Sequence, residues 1–455
     1  MSLPYDQLAA LRLGFGLSPH HVPPADAKGF AEAVALAAPG RRTVRLDRIR
    51  EMQIELKWLQ ALAREGTKEA DRTWRQYRLG MFQAFGDSVL ERFARVADDP
   101  CGFGERLVAF WANHFTVRGG TPHTSMMTAS LVDEAIRPHL SGRFADMIVA
   151  AETHPAMLIY LDQVRSVGPN SAAARKKPDR AMGLNENLAR EMIELHSLGV
   201  GAEYSQQDVE ALARLLTGLT YNPQKPGVFA AAQAEPGTDR VLGQDYGGTK
   251  GSLDDIRAVI EDLARHEATA RHLARKLAIH FIADDPPQPL VERLAGVFID
   301  SQGNLAAINL ALAEAPELES NFRAKLRPPF EFIAGSLRSL GLTGQDLWTW
   351  PRKQRQQMLL QPLEVMGQPW ARPDGPDGWP EAAEAWGTPQ GIATRINWAM
   401  QNPSKLLPQL PDPRGFLQSA LGDSASEPLR WAVPRAESAA EGVALVLASA
   451  DFNRR

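Results

Sequence analysis

The chain has 455 residues, enough for one large domain or two to three ordinary ones, and its 44% hydrophobic and 23% charged residues describe a globular protein with a sizeable core. A net charge of −4 supplies no electrostatic argument for nucleic acid or an anionic membrane. The single cysteine, Cys101, excludes an intrachain disulfide framework and a cysteine-rich zinc site.

The opening residues, MSLPYDQLAALRLGFGLSP, lack the basic-then-apolar pattern of an export signal, and no run of about 18 apolar residues occurs anywhere. The expectation is a cytoplasmic chain with no membrane span, although periplasmic co-export with a signal-bearing partner would escape that test. Apolar residues recur at three and four along most of the chain. This spacing predicts helices over 5–12, 27–37, 46–64, 68–98, 103–115, 124–137, 143–151, 155–162, 184–198, 206–218, 252–265, 267–282, 288–300, 304–313, 316–322, 328–340, 352–361, 388–401 and 439–449. Pro155 suits a first helical turn, Ser205 with Asp208 makes a weak capping box, and Gly199 and Gly218 suit helix ends.

Strand signals are confined to residues 226–247, which predict at most one small hairpin around a Pro-Gly-Thr-Asp turn. Residues 362–389, rich in Pro, Gly and Trp, predict a long ordered excursion of the kind that binds or covers a site. The expected fold is all-α: a helical core domain over 1–345, then this excursion and C-terminal helices over 346–455 packed on that core.

The most informative stretch is LNENLAREMIELHSLGV, residues 184–200. At about 100° per residue, Leu184, Leu188, Met192, Leu195 and Leu198 share one apolar arc, with Glu191 in its middle and Asn187 one turn earlier. A carboxylate on a core-facing stripe is costly unless paired, hydrogen-bonded or metal-bound. This helix is therefore either a structural polar knot or the floor of a site. Glu186, Arg190 and Glu194 form an ion-pair ladder on its flank, and His196 lies off the arc near its end, placed to cap carbonyls or ligate a metal. Removing Glu191 by Ala is expected to strand Asn187 and cost about 2–4 kcal/mol.

Two further clusters carry histidine. In FWANHFTV, Trp111, His114 and Phe115 share a face, with Asn113 beside them; this is either aromatic core or a pair of polar groups needing partners. In ARHLARKLAIHF, Lys276 and His280 sit one turn apart at the edge of an apolar stripe, either a solvated flank or an anion-binding edge. Asp162 closes a YLD run, Arg175, Lys176, Lys177 and Arg180 make a basic loop, and Asp377-Gly378-Trp379-Pro380 reads as a tight turn displaying an aromatic. Dinucleotide, P-loop, HExxH and GxSxG motifs are absent from the sequence.

These blocks, from LRLGFGLSP through ERLVAFWANHF, HPAMLIYLD, NENLAREMIELHSLGV and YSQQDVEALARLLTG to ARKLAIHF, RPPFEFIAGSLRSLG and GQPWARPDGPDGWP, make the chain resemble the bacterial "domain of unknown function 1800" family nearly end to end. The resemblance implies a helical fold without an agreed activity. It also implies a partner, a protein of the "domain of unknown function 1501" family, which looks like alkaline phosphatases and sulfatases. Where relatives usually carry His-Asp-x-Gly, this chain has Gln244-Asp245-Tyr246-Gly247, so Gln244 is left out of the site.

The chain supports two readings of function. In the first, a metal- or carboxylate-dependent hydrolase is built on helix 185–198. Glu191 is its base or metal ligand, Asn187, Arg190, His114 and Asn113 assist, and Trp111, Asp162, Lys276, His280 and Trp379 contact substrate. Any divalent metal would sit on Glu191, Glu194 and His196, although their spacing is not Glu-x-x-His. In the second, the chain is a non-catalytic accessory that docks the phosphatase-like partner. Both readings expect the blocks around His114, Glu191 and His280 to meet in space.

Overall fold

The structure is a computed structural model describing residues 3–37, 43–176, 183–225 and 227–455. It is predominantly helical, and most helices begin and end where their periodicity predicts. The longest, Lys68–Asp98, starts at Thr67, whose side chain accepts from Ala70 N. Gln206–Leu215 opens with the reciprocal Ser205–Asp208 capping box. Gly199 and Gly218 adopt φ of 95° and 93°, the left-handed conformation that ends a helix. No helix among the described residues is long and apolar enough to cross a membrane.

The hairpin forms, but its turn lies five residues later than expected. Gly237–Val241 pairs antiparallel with Gln244–Gly248, and Val241 faces Gln244 across Leu242-Gly243. Both turn residues have positive φ, 48° and 79°, which is the twist a two-residue connection requires. The Pro-Gly-Thr-Asp segment instead leads into the first strand; Pro226 lies outside the described residues.

Several short C-terminal helices have no long apolar period to announce them. Pro403–Leu406, Pro413–Leu421 and Glu427–Ala432 each carry proline in the first turn, and Asp412 caps the second by accepting from Arg414 N and Gly415 N. The 362–389 excursion is irregular, apart from the end of Gln361–Val365 and the turn Ala383–Trp386.

Two hydrophobic clusters fill the interior. One gathers residues from Leu8 to Leu318; the other joins Phe15 and Val89–Ala97 to the C-terminal helices. Fully buried arginines tie them together. Arg106 donates to Gly14 O (3.0 Å), Arg327 to Phe15 O (3.0 Å) and Arg338 to Gly16 O (3.0 Å), so the Leu11–Pro19 segment is held by cations on its backbone carbonyls. Cys101 is buried in the first cluster, and burial pushes its thiol up to about 12, which makes it inert packing.

Candidate functional site

The site grows from the end of the helix Phe103–His114. Trp111 is 1% exposed and packs edge-on against His114 at 5.4 Å, so it is core and touches no solvent. Asn113 clamps the excursion: its Nδ2 donates to Trp379 O (2.9 Å), and Trp379 N donates to its Oδ1 (2.7 Å). Only glycine fits before Trp379. Gly378 has φ 82°, and a Cβ there would lie 2.5 Å from Asn113 Oδ1 and 2.6 Å from Thr116 Oγ1. The Asp377–Pro380 turn is thereby pinned across the end of this helix.

His114 is buried and its tautomer is set by its neighbours. Nε2 lies 3.2 Å from the carbonyl oxygen of His196, which can only accept, so Nε2 carries the proton. Nδ1 is left as an acceptor, and Lys276 Nζ donates to it at 3.0 Å. Burial and then the Lys276 charge hold the imidazole well below its ordinary pKa. Burial also draws the Lys276 ammonium down to about 8, against the pull of Glu381 and Asp377.

The 184–198 stretch departs from one regular helix. Asn187–Glu191 is α-helical and Met192–His196 continues as a π turn. A π turn holds more residues per turn than an α-helix, so side-chain directions depart from the roughly 100° spacing within it as well as beyond it. Leu195, expected on the apolar arc, is therefore partly exposed, and His196, expected off it, is fully buried. His196 Nδ1 lies 2.6 Å from Glu152 Oε1, itself wholly buried. The approach is off the N–H direction, and neither side chain makes a hydrogen bond.

Glu191 is half-buried and makes no hydrogen bond or ion pair among the described residues. Burial raises its carboxyl pKa; the nearby His196 opposes that, while Glu194 and Asp377 reinforce it. Asp377 thus lies within electrostatic reach of both Lys276 and Glu191, and Tyr160 feels Arg118, Glu191 and Asp377 together. Asn187 is exposed, with only its backbone N engaged, at 2.8 Å from Asn185 Oδ1. Arg190 is spent on the ladder, 3.3 Å from both Glu186 and Glu194, and also donates to Gln206.

His280 belongs to a separate, saturated knot. Its Nδ1 is 2.8 Å from Glu381 Oε1, its Nε2 accepts from Arg106 Nε (3.3 Å), and its carbonyl accepts from Arg455 (3.0 Å). Burial would raise Glu381, but His280 and Lys325 outweigh it and hold the carboxyl down at about 2. Asp162 sits at φ 56° on the surface, 3.3 Å from Arg165. Arg175 and Lys176 are exposed; Lys177 and Arg180 lie outside the described residues. Gln244 is exposed on the hairpin.

The His114, Glu191 and His280 blocks therefore meet, but as two centres. Among the described residues no group of three or more His, Cys, Asp or Glu side chains is placed to hold a metal ion. Of the three expected ligands, Glu194 turns to Arg190 and His196 to Glu152. In the sequence Asp377 reads only as a turn residue, and Glu381 and Glu152 carry no assigned role. Glu152 alone left a signal, a carboxylate one turn after Ile148 on an apolar helix.

The profile of a family described as a protein of unknown function (DUF1800) matches residues 9–454. The chain belongs to that family. No curated protein and no solved structure matches it. The DUF1800 match spans every element of the site, from the Phe103–His114 helix to the pinned turn.

Proposed function

We propose that Lys276, Glu191 and Asp377 together form an acid–base site for hydrolysis of a small polar substrate. The observation that carries this reading is the Lys276–His114 pair, a lysine brought down to about 8 against an imidazole kept neutral. An ammonium with that pKa binds a carbonyl or phosphoryl oxygen and releases a proton near physiological pH. His114 positions it, because its own proton is committed to the His196 carbonyl. Glu191, unpaired and shifted upward, is the group to take a proton from water. The expected metal ligands do not converge, so every step here is assigned to the chain's own side chains.

The test is a panel of ester, amide and phosphoester substrates assayed from pH 5 to 10 on wild type, Lys276→Met and Glu191→Gln. The expected outcome is turnover with one pH limb near 8, lost about 100-fold or more in each variant while melting is retained. Folded variants with wild-type turnover would remove the reading.

A second reading is favoured by a different observation. Ile392, Ile396 and Met400 form an exposed stripe on the helix Pro389–Gln401, Met400 being 61% exposed, and Trp431 is 63% exposed on the helix Glu427–Ala432. Ile396 and Met400 also border a groove of about 750 Å³. Such a stripe suits a docking surface for the phosphatase-like partner of the accessory-protein reading. Co-purification with that partner, abolished by Met400→Asp, is its test.

A further inference from the structure

We infer that the cavity between Arg92 and Asp133 is a binding site for a small amphipathic monocarboxylate: a benzene-sized apolar body bearing one carboxylate. The inference is independent of the acid–base reading, because the cavity lies under the excursion and its polar groups are not those of the Lys276 centre.

The cavity has a volume of about 160 Å³. That matches a space able to hold a benzene-sized body. Its walls are chiefly apolar and aromatic, from Phe115, Leu363, Phe330, Trp370 and Trp379. Behind one wall runs a buried network of ions. Arg137 is 2.8 Å from Glu105 and 2.8 Å from Asp133 Oδ1, and Arg95 is 3.3 Å from Glu105 and 3.4 Å from Glu91. Arg137 and Arg95 are thus fully matched by acids.

Arg92 is not. It lines the cavity, yet makes no hydrogen bond or ion pair with any described residue, and its Nε is buried without a partner. Glu105 and Asp133 act on it only through space, and burial outweighs them, drawing the guanidinium down to about 10. Its one ring contact is an approach to Phe330 at 5.9 Å. A guanidinium left this way against apolar walls is a group awaiting an anion. Gln368, also on the wall, uses Oε1 to accept from Phe330 N (2.7 Å), so its amide N–H groups remain as a second donor set.

The acidic wall group limits the ligand's charge. Asp133 is 6% exposed, and its Oδ2 has no partner. A second negative charge in the ligand would meet this oxygen, so a monocarboxylate is accepted and a phosphate or dicarboxylate is repelled. Trp379, held by Asn113, is part of the wall.

The test is calorimetric titration of the full chain with phenylacetate, phenylacetamide and phenyl phosphate, on wild type, Arg92→Gln and Ala129→Leu. Ala129 lines the cavity, and leucine there adds apolar volume to it without adding or removing a charge. The expected result is saturable phenylacetate binding, at least 10-fold weaker binding of the amide and the phosphate, and loss of phenylacetate binding in both variants. Absence of phenylacetate binding to wild type, equal binding of the amide, or binding unchanged in Ala129→Leu would overturn the inference. Should Arg92→Gln fail to fold, the ligand comparison on wild type and the Ala129→Leu titration decide.

Discussion

The helix Glu267–Phe281 carries two polar side chains one turn apart, and they end in opposite circumstances. At His280 every polar atom has a partner: Glu381, Arg106 and Arg455 surround it, and Glu331 in turn holds Arg455 (2.8 Å) and Arg106 (3.4 Å). At Lys276 the ammonium has one neutral partner, His114, and the carboxylates that influence it, Glu381 and Asp377, make no direct pair with it. A saturated buried network joins structural elements and has nothing left to offer a ligand. An undersaturated one keeps donors and shifted acids in reserve. The contrast separates architecture from candidate chemistry on a single helix.

The largest effect should come from breaking the saturated knot. Glu331→Ala leaves Arg455 and Arg106 buried without their shared carboxylate, and should cost about 3–5 kcal/mol in chemical denaturation. A cost near zero would show that the knot is solvated and would dissolve the contrast.

Next in size is the pinned turn. Gly378→Ala puts a Cβ against Asn113 and Thr116 at φ 82°, and should cost about 1–3 kcal/mol. Hydrogen exchange should report it locally, as lost protection of the Trp379 amide that bonds Asn113.

Lys276→Met should behave in the opposite way, leaving stability unchanged or raising it by up to about 2 kcal/mol at pH 7, because it removes a partly buried charge that lacks an acidic partner. The pH dependence carries the sign. Lys276 releases its proton near 8 in the folded chain, against 10.5 as its ordinary value. Between those limits the unfolded chain binds more protons, so wild-type stability should rise with pH relative to Lys276→Met. Below pH 8 the difference between the two proteins should be flat. Parallel urea titrations at pH 7, 9 and 10.5 measure this.

The smallest effect belongs to Glu191→Gln, expected within about 0.5 kcal/mol, since the carboxylate has no hydrogen bond to lose. The cost of about 2–4 kcal/mol expected from the sequence for Glu191→Ala assumed a stranded Asn187. Asn187 is exposed, so that part of the cost disappears. Excess zinc, manganese or magnesium should likewise leave the melting temperature unmoved; a shift of several degrees would restore the metal reading.

Much of the helical frame was readable because an amphipathic period is a local property. Lys68–Asp98 and Gln288–Asp300 match their predicted limits, and Glu267–Phe281 comes within one residue. The short proline-started helices of the C-terminal region were not, since four to nine residues hold too few apolar repeats to reveal a period. The 184–198 segment failed in a more instructive way. Its apolar arc assumed a constant rotation per residue, and the π turn at Met192–His196 broke that assumption in the middle of the site.

By itself, then, the sequence determined an all-helical protein with one hairpin, the family, and the residue blocks that carry polar groups into apolar surroundings. The helices and the hairpin come from composition and periodicity, which act over a few turns of chain, and the family comes from the ordered residue blocks that match it. Which polar groups are paired was decided only by tertiary structure. Asn113 meets Trp379 across 266 residues, and His114 meets Lys276 across 162. Burial and charge pairing depend on such distant contacts, and so the difference between the satisfied His280 knot and the unsatisfied Lys276 and Arg92 centres is a property of packing.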